Sequence, residues 1–317
     1  MDFQDKMAKK INVAVIGVGY LGEHHARIYS TMDNVELVGV VDVEKDRADN
    51  AAAKYSTRAF YDYKELFDKV EAVNIAVPTI LHYPVALDFI RHDIDVLIEK
   101  PVTTTIEEAD NLINEALKRN ILIQVGLIER FNTAFRAMCN YIHNPRFIES
   151  QRIGPYVGRG IDVDVILDLM IHDIDIILSV VKSDLLNLQA VGVPVLTNHI
   201  DIANVRLEFV NGCIANLTAS RVSREKIRKI RVFQPDTYMS VDYGQQSLAI
   251  YKRILENNTP KIVAQEITTA KEEPLRAELE SFVAAVQNRS KPVVSGMDGR
   301  EALKIALKII EDAKKRL

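Results

Sequence analysis

Residues 11–25 read "INVAVIGVGYLGEHH": an apolar, β-rich run, then Gly17, Gly19 and Gly22 spaced two and three apart. Glycine loses more freedom on folding than any other residue, so three so close together need a physical reason. The residues that follow supply one. "YLGEHHARIYSTM" has helical spacing at Leu21, His25, Ile28 and Tyr29, which puts the glycines at a strand-to-helix junction. A second apolar run, "VELVGVVD", then ends on Asp42. At such a junction the first glycine permits a tight turn and the second lets the backbone approach a pyrophosphate. The third lets helix and strand pack closely. The helix start, with Tyr20 and Leu21, offers N–H groups and a positive dipole end to phosphates. A carboxylate at Asp42 reaches both ribose hydroxyls of an adenosine. The glycines alone are a weak signal. Strand, glycines, helix, strand and acid in register predict a dinucleotide site.

The alternation continues outward from there. "AVNIAVP", "IDVLIEKP" and "ILIQVG" read as strands, with helices over about 80–92 and 106–119 between them. Apolar runs without polar alternation mean strands covered on both faces, hence a parallel sheet between helix layers. The pattern changes near residue 126. After a helix in "NTAFRAMCNYI", a strand around 146–153 and a long apolar helix over about 161–182, strands follow without intervening helices. In "ANVRLEFVNGCIANLTAS", Val205, Leu207 and Phe209 alternate, Asn211-Gly212 suggests a type I′ turn, and Cys213, Ala215 and Leu217 alternate back. Two helices, around 274–289 and 298–316, close the chain. The expected architecture is α/β. A Rossmann dinucleotide-binding domain spans 1–125, and an α+β domain with an open, mostly antiparallel sheet spans 126–317.

Bulk properties narrow the function. The chain has 317 residues, 48% hydrophobic and 26% charged, enough for two cores without staples. Its net charge of −4 gives no global pull toward nucleic acid or an anionic membrane. Cys139 and Cys213 are the only cysteines, which fits a reducing compartment and excludes a thiolate metal cluster. The charged opening "MDFQDKMAKK" does not read as a signal peptide, and no apolar stretch approaches the roughly 20 residues a membrane helix needs. A cytoplasmic protein is expected.

In open parallel sheets ligands sit beyond the carboxyl ends of the strands. Pro78, Thr79 and His82 follow one such end; Glu99, Lys100 and Pro101 follow another. A lysine at a buried strand end has an easily shifted pKa, as a catalytic ammonium needs, whereas an isolated lysine ordinarily snorkels to the surface. In "DVDVILDLMIHDIDIILSVV", Asp164, Asp168, His172 and Asp175 recur at spacings of four, four and three along an otherwise apolar helix. A buried helix keeps such a stripe only if it lines a cleft or pairs internally. Asp168 and His172, one turn apart, suit a carboxylate–imidazole pair; the alternatives are a dipole-pairing acidic cluster and a satisfied core histidine. A metal at His172, Asp173 and Asp175 is disfavoured, because successive helical residues diverge and no second histidine is near. Arg130 and Asn132 in "ERFN" are candidates for substrate contact, with ordinary capping the alternative for Asn132. Six basic residues crowd Arg221–Arg231, either holding a diphosphate or lining the wet face of a sheet. Asp42 repels a 2′-phosphate and so favours NAD over NADP; Lys45 and Arg47 read as solvated positions nearby.

With GxGxxG, the acid after the second strand, "EKP" and a D-x-x-x-H helix in that order, the chain resembles the Gfo/Idh/MocA oxidoreductases over nearly its whole length. The resemblance implies a catalytic lysine at Lys100, an acid and a histidine at Asp168 and His172, and oligomerisation, as a homodimer or homotetramer, through the C-terminal sheet. It also implies that the last helices pack back on the first domain. Within the family, "GEHHARIYS" and "ASRVSREKIRKIRVFQPDTYMSVDY" look most like the dehydrogenases that oxidise UDP-N-acetylglucosamine at C3 on a route to lipid A. The implied reaction is NAD-dependent oxidation of a secondary hydroxyl of a sugar or nucleotide sugar. The alternatives are an inositol or free-sugar dehydrogenase, an NAD-using glycosidase, and a non-catalytic NAD-binding sensor; retention of Lys100, Asp168 and His172 argues against the last.

Overall fold

The computed structural model describes residues 10–158 and 163–316, which divide into two compact units. The first runs through Gly126 and includes Leu275–Arg300; the second holds Leu127–Pro274 and the chain from Glu301 on. In the first unit six strands, β1 (Ile11–Ile16), β2 (Val35–Val41), β3 (Arg58–Phe60), β4 (Ala72–Ile75), β5 (Asp95–Glu99) and β6 (Ile123–Gly126), form one parallel sheet in the order 3-2-1-4-5-6. Four helices, α1 (Tyr20–Tyr29), α2 (Lys45–Tyr55), α3 (His82–Arg91) and α4 (Ile106–Arg119), alternate with the strands. Every residue of β4, β5 and β6 is buried, as expected of strands covered on both faces. The strand order reverses between β1 and β4, which opens a crevice at the carboxyl ends. The start of α4 shows how locally the elements are encoded: Thr105 and Glu108 form a reciprocal capping box, satisfying N–H groups that have no carbonyl one turn back.

The second unit contains α5 (Thr133–Cys139), β7 (Phe147–Ile153), α6 (Ile171–Val181) and seven more strands. These are β8 (Leu185–Val193), β9 (Ile202–Phe209), β10 (Ile214–Ser220), β11 (Ile227–Gln234), β12 (Thr237–Asp242), β13 (Ser247–Glu256) and β14 (Thr259–Thr268). They form an eight-stranded sheet in the order 14-13-12-11-7-10-9-8, antiparallel except that β7 and β10 run parallel. Alternate residues such as Ala203, Val205 and Leu207 or Ile230 and Val232 are buried. The chain then closes with α7 (Pro274–Asn288), whose Leu279, Phe282 and Val283 join the core of the first unit with Val13, Val15 and Ile28. Last comes α8 (Gly296–Lys314), which starts in one unit and ends in the other.

Three local expectations are corrected. The β9–β10 connection is no two-residue I′ turn: Gly212 N–H closes it on the Phe209 carbonyl, and only Gly212 has left-handed backbone, with φ +80°. That is the three-residue hairpin with a glycine bulge. The helix expected over 161–182 begins, among the described residues, with a π-helical turn at Ile166–Met170 before α6; residues 161–162 lie outside the described residues. A π turn holds more residues than an α turn, so a stripe counted at α spacing slips in phase there. Strands β8 and β14 were not anticipated, because much of each faces solvent.

Candidate active site

The glycine junction comes first. Gly17 has φ +86°, and a Cβ on it would stand 2.8 Å from the Ala76 carbonyl oxygen. A Cβ on Gly22 would stand 1.8 Å from the Gly17 carbonyl oxygen. These two glycines serve strand, turn and helix packing. Gly19, the N-cap of α1, differs: its Cβ position has no atom within 4 Å. Open space before a helix start, where the first N–H groups have no intrahelical acceptor, fits the phosphates of a dinucleotide. Tyr20 and Leu21 are exposed beside it. Asp42 is aimed at the same junction. Its carboxylate accepts from Val18 N–H (3.1 Å) and Glu44 N–H (3.0 Å). Arg47 Nη1 lies 3.3 Å from both its oxygens, so Arg47 shares the carboxylate instead of standing alone in solvent.

At the ends of β4 and β5, His82 is 1% exposed, with Nδ1 2.8 Å from the Pro101 carbonyl and Nε2 2.9 Å from the Val77 carbonyl. Both nitrogens thus face backbone, and the ring clips together the loops after the two strands. Burial lowers its pKa, against the pull of the two carbonyls and the Glu99 charge. Pro78 and Thr79 lie in the first of these loops, and Lys100 is half-buried at the head of the second. Glu99, 7% exposed, lies 3.0 Å from His25 Nε2. Sequence reasoning counted His25 only as a position on the buried face of α1; a polar ring on that face was the available signal.

In the second unit, Asp168 lines a cleft of about 210 Å³ together with Arg152, Ser220, Lys226 and Arg228. His172 follows on α6, half-buried, its Nδ1 shielded from solvent. The rest of the polar stripe is engaged in structure. Asp164 accepts from Ile200 N–H (2.8 Å) and pairs with Lys314 (3.3 Å). Asp175 takes the Arg130 guanidinium through two bonds of 2.7 and 2.8 Å. Asn132 accepts from Ala134 N–H, as a helix cap does, and donates to the Tyr243 carbonyl. Arg130 and Asn132 are therefore tied into the second unit's own fold.

The basic run separates likewise. Arg221, 5% exposed, bonds Asp201 at 2.7 Å. Asp201 also accepts from the N–H groups of Val195, Leu196 and Thr197. Burial works against its charge, but these donors hold it well below the usual carboxylate range. Lys229 pairs with Asp242, and Arg231 with Glu149. Arg224, Lys226 and Arg228 remain, none of them in an ion pair among the described residues, and Lys226 and Arg228 line the cleft. Loss of hydration lowers the Arg228 pKa, and repulsion from Arg152 adds to it. Arg152 itself was missed in the sequence. It is a charge at a core-facing position of β7, bonded to Glu129 (2.7 Å) and twice to Asp173 (2.7 and 3.1 Å). Burial opposes its charge and the two carboxylates outweigh burial.

Comparison with known proteins agrees with this geometry. Residues 11–127 match the model of the Gfo/Idh/MocA family, an oxidoreductase family with an NAD-binding Rossmann fold. The UDP-N-acetylglucosamine 3-dehydrogenase of Acidithiobacillus ferrooxidans is 37% identical, over 94% of this chain and 96% of that protein. A solved structure of that enzyme superposes with a TM-score of 0.91 at 36% identity, covering 96% of this chain and 98% of the other. A scyllo-inositol 2-dehydrogenase (NAD(+)) of Bacillus subtilis is 24% identical over 95% of this chain and 93% of its own. Among the described residues, no helix is long and apolar enough to cross a membrane. The chain belongs to the Gfo/Idh/MocA oxidoreductase family.

Proposed function

We propose that the protein is an NAD-dependent dehydrogenase that oxidises the C3 hydroxyl of UDP-N-acetylglucosamine, in the cytoplasm, on a route to lipid A amino sugars. The observation that carries the substrate reading is the cleft in which Asp168 shares a wall with Lys226 and Arg228, neither of which makes an ion pair among the described residues. Both side chains are exposed, and a diphosphate would take charge-assisted hydrogen bonds from them. Inositols and free sugars carry no such charge. Similarity to the Acidithiobacillus enzyme supports the same substrate.

His172 takes the proton of the sugar hydroxyl at an imidazole nitrogen. Lys100 donates a hydrogen bond to the same oxygen and offsets the negative charge that develops there. Asp168 orients the imidazole or the sugar. Gly17, Gly19, Tyr20, Leu21, Gly22, Asp42, Pro78, Thr79 and Glu99 hold the cofactor, with His82 clipping two of their loops together. Bound NAD supplies the hydride acceptor. Asp42 selects NAD over NADP by repelling a 2′-phosphate. A homo-oligomer forms through the open face of the second unit's sheet. There Phe147, Phe233, Tyr238 and Tyr251 stand directly opposite one another on four neighbouring strands, with ring centroids 5.5, 4.8 and 5.4 Å apart.

The test is NADH formation, followed by absorbance, with UDP-N-acetylglucosamine against free N-acetylglucosamine and inositols. Turnover of the nucleotide sugar alone is expected. Equal kcat/KM on an uncharged sugar overturns the substrate reading. Arg228→Ala is expected to raise KM for the nucleotide sugar about 10- to 100-fold while moving kcat little, as loss of a charge-assisted contact to a non-reacting group does.

A further inference from the structure

The cleft lined by Asp168 combines charge with an apolar rim, and both come from one end of the second unit's sheet. Strands β7 and β11 run antiparallel there, with Arg152 opposite Arg228 and Ile153 opposite Ile227. Arg228 is thus the second residue of β11, and Lys226 lies just before the strand begins. The chain that leaves β7 at this same end is Gly154-Pro155-Tyr156-Val157. Its root is fixed. Gly154 N–H donates to the Ser220 carbonyl at 2.9 Å, and the Gly154 carbonyl accepts from Ser223 N–H at 3.0 Å. Those bonds tie the loop to the end of β10 and to the segment that leads into β11. Two residues on, Tyr156 is 43% exposed with Val157 beside it, and both line the cleft. Single apolar residues on a surface need no explanation. These two stand at the mouth of a cleft that carries cations, and among the described residues no ring contact or hydrogen bond engages Tyr156.

We propose that Tyr156 is the base-binding residue of this cleft, its ring stacking on the uracil of the nucleotide while Val157 covers the edge of the stack. The proposal rests on the reading that Lys226 and Arg228 take the diphosphate. The cleft then offers a carboxylate at Asp168, two cations at the sheet end and an aromatic plane on the loop beside them. A nucleotide sugar presents matching chemistry along its length: a hydroxylated ring, a diphosphate and a flat base. An aromatic ring holds a base by its face and needs no hydrogen bond to the base edge, so one anchored loop residue is enough. Inositols and free sugars have neither the charge nor the flat ring to use such a surface.

The experiment is calorimetric titration of the full chain, loaded with NAD, with UDP and separately with inorganic pyrophosphate. Tyr156 lies outside the helices and strands and outside both cores, so its variants keep the fold. In Tyr156→Ala the affinity for UDP is expected to fall about 10- to 100-fold, the usual worth of one base–aromatic stack, while the affinity for pyrophosphate is unchanged. Tyr156→Phe keeps the ring and is expected to bind UDP as the wild type does. Unchanged UDP affinity in Tyr156→Ala overturns the proposal. So does an equal loss for pyrophosphate, which would mean that the loop only shapes the phosphate site. A Tyr156→Phe protein as weak as Tyr156→Ala also overturns it, because the hydroxyl and not the ring would then hold the ligand. Arg228→Ala separates this proposal from the reading beneath it: UDP and pyrophosphate are expected to weaken together. If Arg228→Ala binds both like wild type while Tyr156→Ala still loses UDP, the diphosphate reading fails and the base site stands. Wild-type protein that binds neither ligand overturns both.

Discussion

At the scale of single residues, chemistry and framework sit side by side in one sequence pattern. Of Asp164, Asp168, His172 and Asp175, two are consumed by Ile200, Lys314 and Arg130. Asp168 lines the cleft. Spacing made the four look equivalent, and only the partners on other elements tell them apart. Lys100→Met and His172→Ala are each expected to lower kcat about 10²- to 10⁴-fold, the usual worth of a placed proton-transfer or charge-stabilising group. NAD affinity, measured by titration, should stay near the wild-type value in both. Full turnover in either variant removes that residue from the mechanism. The glycines were legible one by one, because each role is steric and local. The use of His82 was not, since its ring meets carbonyls from two loops far apart in sequence.

Elements carry the next layer. The segment from Val195 to Asp201 folds around one carboxylate that takes three backbone N–H groups and Arg221. Asp201→Asn leaves Arg221 buried without its counter-charge, so a loss of about 3 kcal/mol in urea unfolding at neutral pH is expected. The pH dependence has a definite sign. The folded pKa of Asp201 lies below its unfolded value, so the stabilisation is present above the ordinary carboxylate range and fades as pH falls through the acid region. The variant and the wild type should converge there; a constant gap down to strong acid would sink this assignment. Gly22→Ala pushes a methyl into the Gly17 carbonyl and is expected to cost about 3 kcal/mol, since backbone cannot yield as a flexible side chain does. The β-strands of the first unit were readable as elements because burial on both faces leaves unbroken apolar runs. Strands β8 and β14 escaped because solvent on their faces erases that signal.

For the whole molecule, pH-dependent stability reports on the buried charge of the first core. Burial, with the Glu99 charge, raises the Glu278 pKa in the fold, so the carboxyl destabilises the protein progressively as pH rises from the ordinary carboxylate range toward its folded pKa. Glu278→Gln is therefore expected to raise Tm, with the gain growing as pH rises from the ordinary carboxylate range. A gain independent of pH, or a loss, would mean that the carboxyl is ionised in the fold. The amino-acid sequence by itself determined the alternation of strands and helices, the glycine junction with its acid, and the family, because these rest on periodicity and on contacts between near neighbours. Tertiary structure alone decided which charges are spent and which are left for a ligand. Arg221 and Arg228 look alike in the chain and both line the cleft, yet one is bonded to Asp201 and the other makes no ion pair among the described residues. A charge is assigned by the partner that desolvates it, and that partner is set by the fold.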